Sequence, residues 1–72
     1  MEEREYIARR LTTITEQIRE IEERGWKSDY VMTMLRGQAH EYYMMTKYIF
    51  ADLHAKAESA YKYAVETDER IR

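Results

Sequence analysis

The chain has 72 residues and no cysteine, and its 12 basic and 14 acidic side chains give a net charge of -2. This length supports one domain, disulfides are excluded, and a near-neutral chain lacks the basic surface on which general nucleic-acid binding depends. The acidic N-terminus lacks the apolar core of a secretory signal, and no run approaches the ~18 apolar residues of a membrane span. We therefore expect a cytoplasmic protein.

The first predicted helix covers about residues 2–24. Its apolar positions recur at spacings of four and three, which is the heptad pattern of a coiled coil rather than a broad amphipathic face. These positions are Ile7, Leu11, Ile14, Ile18 and Ile21. The pattern predicts that one narrow side of this helix packs against the rest of the chain.

A short turn is predicted to follow this helix. Gly25 suits the left-handed position that ends a helix, and Trp26 just beyond it is expected to fold back on Ile21. Ser28 or Asp29 then supplies an N-cap for the next helix. Because the turn is short, the two helices are expected to be antiparallel neighbours.

The second predicted helix covers about residues 29–70, because the chain contains no proline and only two glycines. We favour one long helix, in which Gly37 marks either a kink or a close contact between helices; the alternative is a break near Ala51 or Asp52, which would create a third helix. A first helix of ~33 Å covers only half of a second helix of ~60 Å. The predicted fold is therefore all-α, an antiparallel helical hairpin in a single domain, residues 1–72, that assembles into a helical-bundle oligomer.

Three apolar or mixed stripes run along the second predicted helix. The first continues the heptad spacing of the first helix, so it is expected to form the core inside one chain. Its members are Val31, Leu35, Tyr42, Met45, Ile49, Leu53, Ala57, Ala60 and Ala64.

The second stripe is the predicted interface with another chain, because the first helix cannot reach both stripes at once. Methionine and tyrosine give it adaptable contact surface, and its small residues allow close approach of two backbones. The predicted interface residues are Tyr30, Met34, Gly37, Met44, Tyr48, Ala51 and Ala55. The alternative is that the end of the same chain, after a break near Asp52, folds over this stripe.

The third stripe interleaves cations with rings, and Phe50 and Tyr61 accompany it. The favoured interpretation is a solvated helix shoulder, and the rim of a protein interface is the second. The third is a groove for an anion or nucleotide, in which the cations neutralise phosphate and the rings stack on bases. The candidate anion-binding residues are Arg36, His40, Tyr43, Lys47 and His54.

The residues of an enzyme site are not found together in the sequence. Ser28 and Ser59 have no neighbouring histidine in a recognised nucleophilic arrangement. His54 and Glu58 are four apart on one face, which gives two ligands where a zinc site needs three or four. We therefore predict a protein without enzymatic activity, metal or cofactor.

Two hypotheses for function follow. The first is a small interaction or regulatory protein that forms a homo-oligomer, most simply an antiparallel dimer, or binds a larger protein as an inhibitor, co-chaperone or assembly factor. Small phage-encoded regulators share this size and layout, so a phage or mobile-element origin is one hypothesis. The second is an oligomeric binder of a nucleotide or RNA through the third stripe.

Overall fold

The computed structural model describes residues 2–25 and 29–71, which are almost entirely helical. They form α1 (Glu3–Arg24), α2 (Asp29–Thr46) and α3 (His54–Ile71), with a 3-10 turn at Ala51–Leu53 directly before α3. The prediction of an all-α fold is confirmed. In this described part of the chain, every helix is too short or too polar to cross a membrane.

Helix α1 follows the heptad prediction closely. All five predicted positions are buried, with at most 2% of each side chain exposed: Ile7, Leu11, Ile14, Ile18 and Ile21. Gly25 ends the helix in the left-handed conformation, at φ 65°, and its N–H bonds to the carbonyl of Glu22. The predicted contact of Trp26 with Ile21 and the predicted cap at Ser28 lie outside the described residues.

The favoured prediction of one continuous second helix is wrong. Helix α2 ends at Thr46 and α3 begins at His54, so the chain breaks close to the position that the alternative prediction gave. Phe50 makes the reversal in the left-handed conformation, at φ 56° and ψ 51°. A residue other than glycine loses ~1–2 kcal/mol there. Helix α2 itself continues through Gly37 without interruption.

Burial explains why the chain accepts this cost. In a single long helix, the apolar side chains after the break would have had no partner. In the structure Leu53 and Ala57 share one buried cluster with Ile7 and Leu11 of α1. Burying a leucine contributes ~1.5–3 kcal/mol, so Leu53 alone offsets the strain at Phe50.

The three helices alternate in direction along the bundle. Arg36 in the first half of α2 pairs with Asp68 near the end of α3, whereas Tyr43 near the end of α2 stacks on His54 at the start of α3. Helices α2 and α3 are therefore antiparallel. The C-terminal half of α1 packs on the N-terminal half of α2, so this pair is antiparallel as well.

The core consists of two clusters, one toward each end of the bundle. The first contains Ile14, Ile18, Ile21, Met32, Leu35, Ala39 and Ala64. The second contains Ile7, Leu11, Leu53, Ala57 and Ala60. Tyr42 packs against both.

The first stripe supplies much of this core. Its members Leu35, Leu53, Ala57, Ala60 and Ala64 are buried. Val31, Tyr42 and Met45 pack against it partly buried. Ile49 is the wrong prediction: it lies in the turn after α2 and is 45% exposed.

Candidate interaction surface

Helix α2 has two apolar faces that point in opposite directions. Its inner face is almost fully buried, with at most 1% of each residue exposed: Met32, Leu35, Ala39 and Thr46. At about 100° per residue, a second set lies roughly half a turn away from these residues. We call this set, which extends two residues beyond the end of the helix, the outer face of α2: Tyr30, Met34, Gly37, Glu41, Met44 and Tyr48.

The outer face holds most of the large apolar side chains that the described chain exposes. Tyr30 is 79% exposed and Tyr48 82%, and Met34 and Met44 are 42% and 39% exposed. Single apolar residues scattered over a surface are ordinary. Three of these lie on one side of an 18-residue helix, and the fourth, Tyr48, lies in the turn directly after it; this grouping is the pattern that marks contact with another molecule.

All seven residues of the predicted interface are exposed. Because the helix breaks after Thr46, they do not all lie on one helix. Ala51 lies in the 3-10 turn and Ala55 in α3, so neither continues the line of α2. Tyr48 stays on that line, because the N–H groups of residues 48 and 49 still bond to the carbonyl of Met45, both at 3.1 Å.

The alternative expectation, that the C-terminal segment covers this stripe, is wrong. The chain does turn back near Asp52, yet α3 packs against the opposite side of α2, where it shares a cluster with Leu35 and Ala39. Tyr30 and Met34 remain exposed as a result. In the part of the chain that the structure describes, the outer face of α2 therefore has no helix packed over it.

Gly37 lies near the middle of the outer face, where the described residues leave open space beside it. A Cβ atom added there would meet nothing within 4 Å. A glycine inside a helix costs ~1 kcal/mol relative to alanine, so the fold gains nothing from this one. Close approach of a second backbone is the usual use of such a position. Glu41, one turn later, is the only charged residue of the outer face.

The third stripe forms the contact between α2 and α3. The ring of Tyr43 stacks on His54 and on Tyr61, with centroid distances of 5.0 and 5.5 Å. His40 packs against Tyr61 at 5.2 Å, and Lys47 places its Nζ 4.9 Å from the centre of the Tyr43 ring. The structure thus brings these candidate anion-binding residues together, with their rings turned toward one another.

Arg36, the remaining member of that set, is paired with a buried carboxylate. Its Nη1 lies 3.0 Å from Oδ2 of Asp68, whose side chain is 0% exposed. A buried carboxylate is costly unless it is paired and hydrogen-bonded. The first role of Arg36 is therefore to balance Asp68. Sequence reasoning missed this carboxylate, although Asp68 continues the buried line of α3 four residues after Ala64.

Thr46 and His54 connect the two ends of the turn. Thr46 Oγ1 lies 2.8 Å from the carbonyl oxygen of Tyr42 and 3.0 Å from Nδ1 of His54. The Thr46 hydroxyl therefore links the last residue of α2 to the first residue of α3.

Asp52, where the alternative prediction placed the break, ties the 3-10 turn to α1. Its Oδ2 accepts a hydrogen bond from Nε of Arg4 at 2.8 Å. This bond to the guanidinium lowers the pKa of the Asp52 carboxyl below its ordinary value. Both side chains are about half exposed, so the pair orients the start of the turn more than it stabilises it.

A shallow groove lies between α1 and α3. Lys56 donates a 2.7 Å hydrogen bond to Thr12 across it, and Tyr63 donates one of 2.9 Å to Glu22. Partial burial, and then the bond to Glu22, raise the pKa of Tyr63 above its ordinary value. Within residues 2–25 and 29–71, no three His, Cys, Asp or Glu side chains are grouped so that they could bind one metal ion.

Comparison with known proteins gives no relative for this chain: no protein-family model, curated protein or solved structure matches it.

Proposed function

We propose that this protein is a non-enzymatic helical interaction module, which binds another protein chain through the outer face of α2. The exposure of Tyr30, Met34, Met44 and Tyr48 supports this proposal most directly. Tyrosine and methionine are enriched in protein interfaces, whereas charged residues are depleted at their centres.

The three-helix fold changes the basis for such a proposal. A hairpin with a long second helix would need a partner to cover its core residues, but α3 covers Leu35 and Ala39 within the same chain. The need for a partner therefore does not come from the core. It comes from the outer face of α2, which carries apolar side chains and a glycine that the fold does not use.

The interaction partner is expected to be protein rather than nucleic acid. The outer face has no cation, and phosphate contacts are made mainly by lysine and arginine. The aromatic stripe that the sequence offered for anions packs between α2 and α3. Regulation or assembly of a partner is the kind of role that a small helical module of this type performs.

Site-specific photocrosslinking in the native cells tests the proposal. A photoreactive phenylalanine analogue at Tyr30 or Tyr48 is expected to give adducts of discrete mass with a protein. The same analogue at Tyr6, which is 52% exposed on α1, is the matched control and is expected to give none. Equal labelling from all three positions, or no adduct from α2, would contradict the proposal.

A further inference from the structure

We infer that the partner of the outer face is a second copy of this chain, bound antiparallel with the two-fold axis at the level of Ala39. This inference rests on the proposed function, since it requires that the outer face binds protein. It adds the identity of the partner and the register in which the two helices meet.

The order of residues along the outer face supports a two-fold contact. It reads Tyr, Met, Gly, Glu, Met, Tyr at spacings of four, three, four, three and four, so its apolar residues are the same from either direction. A two-fold interface requires one patch to be complementary to itself, because every contact between two different residues occurs twice, once from each chain. Antiparallel pairing about Ala39 places Tyr30 level with Tyr48 of the second copy, and Met34 level with Met44.

The centre of the face discriminates between the two possible directions. In a parallel pair, Glu41 would lie level with Glu41 of the second copy, and like charges directly opposite one another repel. In the antiparallel pair, Glu41 lies level with Gly37 instead. The space above Gly37 is open as far as residues 2–25 and 29–71 are concerned, because none of them comes within 4 Å of an added Cβ. The long glutamate side chain has room there, and the backbones can approach closely.

The available area predicts a weak dimer. The outer tyrosines are 79% and 82% exposed and the outer methionines 42% and 39%, so covering these four side chains removes roughly 500 Å² of surface per chain, most of it from the two rings. The total of roughly 1,000 Å² lies at the lower limit for a specific interface. We expect a dissociation constant on the order of 1–100 µM.

Mass in solution is the first test. Light scattering over a concentration series is expected to show the mass rising from 8.8 kDa toward twice that value. Tyr48→Glu is expected to raise the dissociation constant at least ~10-fold, because the dimer loses two of the four exposed tyrosine rings of its interface and gains two charges in their place. Tyr6→Glu, the matched change on α1, is expected to leave it unchanged. A mass of 8.8 kDa at millimolar concentration would overturn the inference.

Disulfide trapping tests the register. The chain contains no cysteine, so only the introduced cysteines can form a disulfide. Met34→Cys and Met44→Cys are prepared separately, oxidised alone and oxidised as a mixture. In the antiparallel register, position 34 lies ~15 Å along the axis from its own copy, beyond the ~4.4–6.8 Å between Cα atoms that a disulfide needs. The mixture should therefore form the mixed disulfide, and neither protein alone should crosslink. Crosslinking of each variant with itself would show a parallel pair and overturn the inference.

The two proposals fail in distinguishable ways. If the protein stays monomeric while Tyr48 crosslinks to a different protein in cells, the inference is wrong and the proposed function holds. Both proposals fail if Tyr48 gives no adduct and the Tyr48→Glu variant associates as strongly as the unchanged protein. In that case the outer face binds neither a second copy nor another protein. Circular dichroism of each variant confirms that the helices are intact.

Glu41 gives a final test with the opposite sign. The two Glu41 carboxylates would lie close to the axis, so Glu41→Gln removes a repulsion and should lower the dissociation constant ~2-fold to 3-fold. Glu20→Gln on α1 is the control for the change in net charge. A dimer weakened by Glu41→Gln would contradict the placement of the axis.

Discussion

Helices α1 and α2 are neighbours of similar length, yet they use their apolar residues differently. The isoleucines and the leucine of α1 all face the core, and Tyr6 is its only exposed large apolar residue. Helix α2 buries Met32 and Leu35 and also exposes Tyr30 and Met34 on the opposite side. Helix α1 thus has about as many large apolar residues as the core needs, whereas α2 has additional ones that the core does not use. This difference supports a role for the outer face of α2 in binding another molecule.

Neighbouring residues on the two faces of α2 give the largest expected difference. Leu35→Ala should lower the free energy of unfolding by about 3 kcal/mol, because the side chain is 1% exposed and leaves a cavity in the core. Met34→Ala, one residue earlier on the outer face, should cost under ~1 kcal/mol. Urea unfolding followed by circular dichroism measures both. Equal losses would show that α2 does not have an inner and an outer face.

The pair between α2 and α3 gives the next effect. Arg36→Ala should lower the free energy of unfolding by about 2 kcal/mol, because it removes a cation from beside the buried carboxylate of Asp68. Lys47→Ala, which removes an exposed cation from the turn directly after α2, is the control and should cost under ~1 kcal/mol, with the loss of its contact with the Tyr43 ring included. Thermal unfolding at fixed pH compares the two. A larger loss for Lys47→Ala would mean that Asp68 does not depend on Arg36.

Substitutions at Phe50, in the turn before α3, should change stability less, and glycine should be tolerated better than alanine. Phe50→Ala and Phe50→Gly both lose the ring, but only alanine has a Cβ in the left-handed conformation at φ 56°. Glycine should therefore be the more stable replacement by about 1 kcal/mol, although it is normally the more destabilising one. Chemical denaturation of both variants measures the difference. A more stable alanine variant would show that the break does not depend on this conformation at Phe50.

The outer face should contribute least to the stability of the monomer. Met44→Glu is expected to change the free energy of unfolding by less than ~0.5 kcal/mol at concentrations where the protein is monomeric. The same substitution should weaken association. A large loss of monomer stability would place Met44 in the core of the fold and remove it from the interface.

Much of α1 could be predicted from the sequence, because its heptad spacing and Gly25 are local signals. The break in the second helix could not, since no glycine or proline marks it. Phe50 adopts the left-handed conformation only because Leu53 and Ala57 gain a partner in α1. That gain depends on residues more than forty positions away in the sequence, so a local pattern does not contain it.

The outer face was the more predictable part of the candidate site. Tyr30 and Met34 fall on one line by helical spacing alone, and that line is indeed exposed. The packing of the third stripe could not be predicted without the break, because only an antiparallel α3 brings Tyr61 beside Tyr43. The burial of Asp68 had a signal in its spacing from Ala64, but its charge argued for a solvated position.

Tyr42 has a consequence for how the bundle comes apart. Its side chain packs against both buried clusters, so neither end of the bundle has a core that is separate from the other. Opening the first turn of α3 withdraws support from Tyr42, and through it from Met32 and Leu35 at the opposite end. The described chain is therefore expected to unfold in one cooperative transition, without a stable half.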